Sequence, residues 1–236
     1  MIKLASLLVL TIGLASANTI TWTTPAGSTS AGGLVDASAT VVTSTGSVTV
    51  TLNDLLGNPH NVGQLLSDFF FTLSSTPTTA LSTTTTPTEP LNLIDIASNG
   101  SVTSNPGSFA TWGLTSSGAI VHLDSLTGGG TQTIIGPSGP GGVYTNANSS
   151  ITGNSGHNPF INGTATFTFL VGGVTTNTTV TAATFSFGTA AGDNVLGTTC
   201  ITNCGGTQQD IPEPLSMFLM GGGLLGVGIF GKFRRA

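Results

Sequence analysis

Positive charge is nearly absent. The 236-residue chain has four basic residues, Lys3, Lys232, Arg234 and Arg235, and none between Asn18 and Ile211. That same stretch holds eight acids: Asp36, Asp54, Asp68, Glu89, Asp95, Asp124, Asp193 and Asp210. A region with formal charge −8 and no base forms no Lys or Arg ion pair, so apolar burial and backbone hydrogen bonds must hold it together. It repels polyanions, which excludes nucleic acid as a partner. Charged residues make up 6% of the chain, against roughly 25% in an ordinary domain. A coiled coil, which needs charged heptad flanks, is excluded with them. Two cysteines are too few for a disulfide-built scaffold. Long apolar runs occur only at the two ends, which excludes a multi-span membrane protein. Trypsin should therefore release no internal fragment between Asn18 and Ile211, as mass spectrometry of a digest would show.

Small and hydroxylated residues fill the space. Threonine occurs 42 times, glycine 34 and proline 11. Several segments alternate apolar and polar residues with period two. Ile20 and Trp22 alternate with Thr19, Thr21 and Thr23; Val48, Val50 and Leu52 with Ser47, Thr49, Thr51 and Asn53. Ala165, Phe167 and Phe169 alternate with Thr164, Thr166 and Thr168; Ala183, Phe185 and Phe187 with Thr184 and Ser186. Each reads as a strand with one buried face and one hydroxyl-bearing face, a place that suits β-branched threonine. Further strands are expected over Leu34 to Thr43, Phe70 to Ser74, Leu91 to Ala97, Ala119 to Leu123 and Thr131 to Ile135. Val62 to Phe69 reads as one or two helical turns. Ser75 to Pro90, Gly136 to Gly142 and Asn146 to Pro159 read as loops. About nine strands predict an all-β fold, a single sandwich or jelly-roll-like domain over residues 18–209.

The ends read as targeting segments. Met1-Ile2-Lys3, the apolar run Leu4 to Leu14 and Ala15-Ser16-Ala17 fit a signal peptide over residues 1–17, cleaved between Ala17 and Asn18. The other reading is an uncleaved membrane helix, for which the run is short. Residues 210–236 contain Pro212-Glu213-Pro214, an uncharged run over residues 215–231, and the basic tail 232–236 with Lys232, Arg234 and Arg235. As a transmembrane helix, that run rises about 1.5 Å per residue and covers roughly 26 Å, close to the thickness of a bilayer's hydrocarbon core. The basic residues would stay on the cytoplasmic side, leaving the body of the chain outside.

This end resembles the PEP-CTERM protein-sorting signal, in Pro212-Glu213-Pro214, the run Gly221-Gly222-Gly223-Leu224-Leu225-Gly226, and Arg234-Arg235. The resemblance covers residues 211–236 alone. It implies processing by an exosortase, a membrane-embedded transpeptidase-like enzyme of Gram-negative bacteria that make exopolysaccharide. It also implies anchoring in the inner membrane during transit, then delivery to the cell surface or extracellular matrix. A plain stop-transfer anchor is the competing reading. Gly221, Gly223 and Gly226 also satisfy G-x-G-x-x-G, but no strand and no aqueous helix start precede them, so the dinucleotide reading fails.

Signals for chemistry are sparse. Cys200 and Cys204 are expected to pair outside the cytoplasm, against free thiols or half of a metal site. His60, His122 and His157 are the only histidines, and no G-x-S-x-G elbow organises a triad. His122-x-Asp124 would place both side chains on one face of a strand, half of a metal site that lacks a further ligand nearby in sequence. His157-Asn158-Pro159-Phe160 reads as a turn whose polar side chains bond backbone while Phe160 packs inward. Gly128-Gly129-Gly130 and Gly136 to Gly142 lack the Lys-Ser/Thr of a P-loop.

No cofactor, metal or catalytic residue is expected. The chain reads as an exported, non-catalytic surface or matrix protein. The alternative is a carbohydrate-binding module docking on exopolysaccharide, which requires Trp22, Trp112 or Tyr144 at the surface.

Overall fold

The computed structural model describes residues 17–88, 92–109, 111–126, 132–190 and 192–200. Among these the chain is all-β, and its helical content is two 3-10 turns, Val62–Gln64 and Pro140–Gly142. In chain order the strands are β1 (Asn18–Thr23), β2 (Thr29–Ser30), β3 (Gly33–Leu34), β4 (Ala37–Ser44), β5 (Ser47–Asp54), β6 (Leu66–Leu73), β7 (Thr84–Thr85), β8 (Leu93–Ile96) and β9 (Val102–Ser104). They continue with β10 (Trp112–Ser117), β11 (Ile120–Asp124), β12 (Ile134–Ile135), β13 (Phe160–Asn162), β14 (Thr164–Leu170), β15 (Val180–Phe187), β16 (Asn194–Leu196) and β17 (Thr198–Thr199). Nine of these have four or more residues; the other eight are short pairings that close loops and edges.

Two main sheets form. The first runs β14-β5-β4-β1-β17, antiparallel throughout. Its β4–β5 hairpin turns through Thr45-Gly46, with Gly46 at a φ of 75°, a conformation glycine adopts without a Cβ clash. The second runs β7-β10-β11-β6. Strand β6 also pairs with β15, which leads to β16, and through Leu66 with β12, which leads on to β13, β8 and β9. The β12–β13 contact is parallel.

Alternation along the strands decides what each sheet buries. From the first sheet Ala39, Val41, Val48, Val50, Leu52, Ala165 and Phe167 point inward; from the second come Phe69, Phe71, Leu114, Val121, Leu123, Phe185 and Phe187, all in one core. Trp112 and Phe167 meet across the sheets with ring centroids 4.9 Å apart. A second, smaller cluster gathers Leu65, Ile94, Ile96, Ile135, Tyr144, Ile151 and Phe160 beneath the loops.

The outward face of the first sheet carries the expected hydroxyls. Thr21, Thr40, Thr51 and Thr166 stand in register across four strands. Thr21 and Thr40 lie 3.0 Å apart at Oγ1, as do Thr51 and Thr166. In the next row Thr49 and Thr168 repeat the contact at 3.0 Å.

The structure corrects the sequence reading: β10 (Trp112–Ser117) is a strand not expected from the sequence, the strand expected over Thr131 to Ile135 is described only at Ile134–Ile135, and two further segments change. Helix over Val62 to Phe69 shrinks to Val62–Gln64, capped by Asn61 and Gln64, and the strand expected from Phe70 already starts at Leu66. The cause is tertiary: Leu66 N–H donates to Asp54 Oδ2 (3.4 Å), β15 pairs with β6 from Leu66 to Leu73, and on its other edge β12 meets Leu66 and β11 pairs with Asp68 to Thr72. Within the loop Ser75 to Pro90, Thr84–Thr85 forms an edge strand against Trp112 and Gly113. The transmembrane run, the sorting motif, Lys232, Arg234, Arg235 and most of the signal segment lie outside the described residues; no described helix is long and apolar enough to cross a membrane. Ordered strand begins at Asn18. Cys200, the last described residue, donates its backbone N–H to Thr21 O (2.9 Å). Cys204 and its pairing lie outside.

Candidate functional site

Three side chains converge on the outward face of the second sheet. The β11–β6 register sets Asp124 opposite Asp68 and His122 opposite Phe70. Period-two alternation then places Asp68 and Phe70 on the same face as His122 and Asp124. One ligand atom from each of Asp68, His122 and Asp124 lies within 4.8 Å of the other two. Ser186 of β15 stands opposite Asp68 on the other edge of β6.

The surroundings hold these groups in place. The His122 ring stacks on Phe70, with centroids 3.7 Å apart and planes 8° from parallel. Beyond Asp124 the chain turns, and Leu126 N–H donates to Asp124 Oδ1 (2.6 Å). Ser125 N–H donates to Ser67 O (3.0 Å), continuing the β6–β11 pairing around the corner.

Burial and charge act together here. Asp68 is 3% exposed and Asp124 7% exposed, while His122 is partly exposed. Burial, and then the adjoining Asp124 carboxyl, push the Asp68 carboxyl up to about 8. Two carboxyl groups this close in a poorly solvated site do not both ionise readily. Burial lowers His122, against the pull of Asp124, which favours the neutral imidazole that coordinates metals. Asp68 Oδ1, His122 Nε2 and Ser186 Oγ are all buried without a hydrogen-bond partner.

Asp54 makes an instructive contrast. It is 2% exposed, and burial raises it well above the ordinary carboxyl range, opposed by backbone N–H groups. Its Oδ1 accepts from Leu56 N–H (3.1 Å) and its Oδ2 from Leu66 N–H. Gly136 packs here so tightly that a Cβ would collide with the Leu56 carbonyl, and Tyr144 Oη donates to Gly136 O (2.8 Å). Asp54 is a structural staple, satisfied by the backbone.

The other singled-out residues are structural. His60 Nδ1 lies 2.7 Å from Asn146 O, and His157 Nδ1 lies 2.9 Å from Ser150 O. The 157–160 turn matches expectation: Asn158 Oδ1 accepts from Ile96 N–H (3.0 Å), and Phe160 is fully buried. The aromatics offered for carbohydrate do not reach solvent. Trp22 is 7% exposed, Trp112 0% and Tyr144 2%, so none of these three offers a stacking platform.

The third side chain that could hold a metal beside His122 and Asp124 is Asp68, which the sequence reading does not single out. A helical assignment for Val62 to Phe69 takes Asp68 off any strand. Running the alternation of Phe70 and Thr72 back two residues would have placed it on their face. That Asp68 neighbours His122 is a matter of register between segments more than fifty residues apart. Comparison with family models, with curated proteins and with solved structures finds no match for the chain.

Proposed function

We propose that the chain is an exported, non-catalytic protein of the bacterial cell surface or extracellular matrix, delivered by a PEP-CTERM-type signal. The observation that carries this reading is the order of elements at the C-terminus: Pro212-Glu213-Pro214, an uncharged run over 215–231, then Lys232, Arg234 and Arg235. The two prolines keep the segment above the membrane extended and open to an enzyme, and Glu213 holds it out of the lipid. The tail is an exosortase substrate that passes through the inner membrane, and Cys200 pairs with Cys204 to pin the chain ahead of it.

The β domain suits a crowded, neutral, hydrated matrix. It presents registered threonine hydroxyls on one sheet and no Lys or Arg over residues 18–211. Such a surface offers hydrogen bonds to exopolysaccharide without charge attraction. The burial of Trp22, Trp112 and Tyr144 weighs against a dedicated aromatic sugar site.

The test is Glu213→Ala expressed in the producing bacterium, followed by surface labelling and intact-mass analysis. The substituted chain should accumulate in the inner-membrane fraction at full tail length, with surface signal reduced about tenfold or more. Unchanged processing and surface signal would refute the reading.

A further inference from the structure

We propose that Asp68, His122 and Asp124 bind one borderline divalent cation of the Zn2+ class on the outward face of β6 and β11. The donor set is two carboxylates and one imidazole, with one ligand atom of each within 4.8 Å of the others. Tetrahedral Zn2+ bonds nitrogen and oxygen at about 2.0–2.2 Å, so two ligand atoms of one ion stand about 3.3–3.6 Å apart. The separations, all within 4.8 Å, close by at most about 1.5 Å to reach that spacing, through rotation of the three side chains about their χ angles.

A cluster of acids alone would carry nothing, but two further observations point to a ligand. Asp68, 3% exposed, keeps Oδ1 without a partner, and Ser186, 1% exposed and opposite Asp68 on the neighbouring strand, keeps Oγ without one. His122 Nε2 is buried and unpartnered in the same cluster. Buried polar atoms are almost always satisfied, and here three that are not come from three adjacent strands. Asp54 in the same chain shows the alternative, a buried carboxylate met by backbone N–H groups. The Ser125 N–H and the Ser186 side chain act on the Asp68 carboxyl as a whole, but neither closes a hydrogen bond to Oδ1, and the region has no Lys or Arg to supply a counter-charge. A divalent cation supplies it and takes up the open lone pairs.

The outer contacts orient the ligands as metal sites require. Phe70 fixes the plane of the His122 ring, and Leu126 N–H fixes one oxygen of Asp124. The imidazole selects the class: Ca2+ and Mg2+ prefer all-oxygen shells, whereas Zn2+ and its neighbours accept nitrogen. Ser186 Oγ or water completes the shell. The proposal is independent of the tail and its processing.

With only three histidines in the chain, imidazole NMR resolves the test residue by residue. The purified full-length chain is stripped with chelator and titrated with Zn2+ alone. The expected result is binding of one ion per chain, with only the ring signals that His122→Gln deletes being shifted. Asp68→Asn, which keeps the side-chain shape, should weaken binding by about tenfold or more. Ca2+ in place of Zn2+ should move none of the rings. No ring shift at millimolar Zn2+, a shift confined to His60 or His157, or binding that survives both substitutions would overturn the site. An equal response to Ca2+ would overturn the assignment of class. The wild-type ring shifts answer the question even if a variant fails to fold.

Discussion

Replacing Phe167 with alanine should destabilise the domain by about 3–5 kcal/mol. At roughly 2–4 °C per kcal/mol for a chain of this size, the thermal midpoint falls by about 6–20 °C. Phe167 is fully buried on β14 and its ring meets Trp112 of the opposite sheet at 4.9 Å. The contact joins the two sheets, so truncation removes apolar area from both and leaves a cavity that neither backbone can readily collapse to fill. This core has no buried ion pair to Lys or Arg to share the load, because residues 18–211 contain neither. Leu170→Ala on the same strand is the control: Leu170 is 81% exposed, and its loss should stay within about 0.5 kcal/mol. Equal midpoints for the two variants would show that the sheets do not meet at Trp112 and Phe167.

The second large effect is a loss of stability as pH rises through neutrality. Asp68 is raised to about 8 in the folded chain, by burial first and the Asp124 carboxyl second; an unfolded aspartate releases its proton near 3.9. Below about pH 4 both states hold the proton and nothing is lost. Above that the unfolded chain ionises while the folded chain does not, so stability falls until about pH 8 and then levels. The groups facing Asp68 are Asp124 and His122 from β11, while its partners on β15 in the paired register are uncharged. His122, lowered by burial, has the opposite sign, but only below its ordinary value near 6.5. Between pH 6.5 and 8 Asp68 therefore acts without that opposition.

One titrating group contributes at most about 1.4 kcal/mol per pH unit. Over this window that is up to roughly 2 kcal/mol, or about 4–8 °C in midpoint. Thermal unfolding in chelator should show that fall in the wild type. Asp68→Asn, an isostere of the protonated acid, should remove most of the slope and match or exceed the wild-type midpoint at pH 8. Parallel slopes for the two chains would mean that Asp68 ionises normally in the fold. Asp54, also raised by burial, contributes equally to both chains and cancels in the difference.

How much of this was legible beforehand depended on the range of the interaction. Thr164 to Phe169 and Ser47 to Asn53 alternate so regularly that strand, inward face and hydroxyl face followed directly. The turn at His157-Asn158-Pro159-Phe160 followed from local side-chain bonding. Short edge strands such as Thr84–Thr85 did not, since two residues carry no period and exist only because Trp112 and Gly113 lie alongside. Leu66 to Phe69 is strand for the same reason: its partners, not its own pattern, dictate it. The core roles of Trp22 and Tyr144 were equally hidden, because an aromatic residue serves a core or a surface according to what packs over it.

The sequence by itself determined the period-two strands and the absence of internal positive charge, because each is a property of neighbouring residues. Only the tertiary structure decided which acids are buried and which of them stand together. Alternation assigns a side chain to a face, but the pairing of β6 with β11 assigns its neighbour. That pairing brings Asp68 to His122 and Asp124, in a domain with no Lys or Arg to neutralise them.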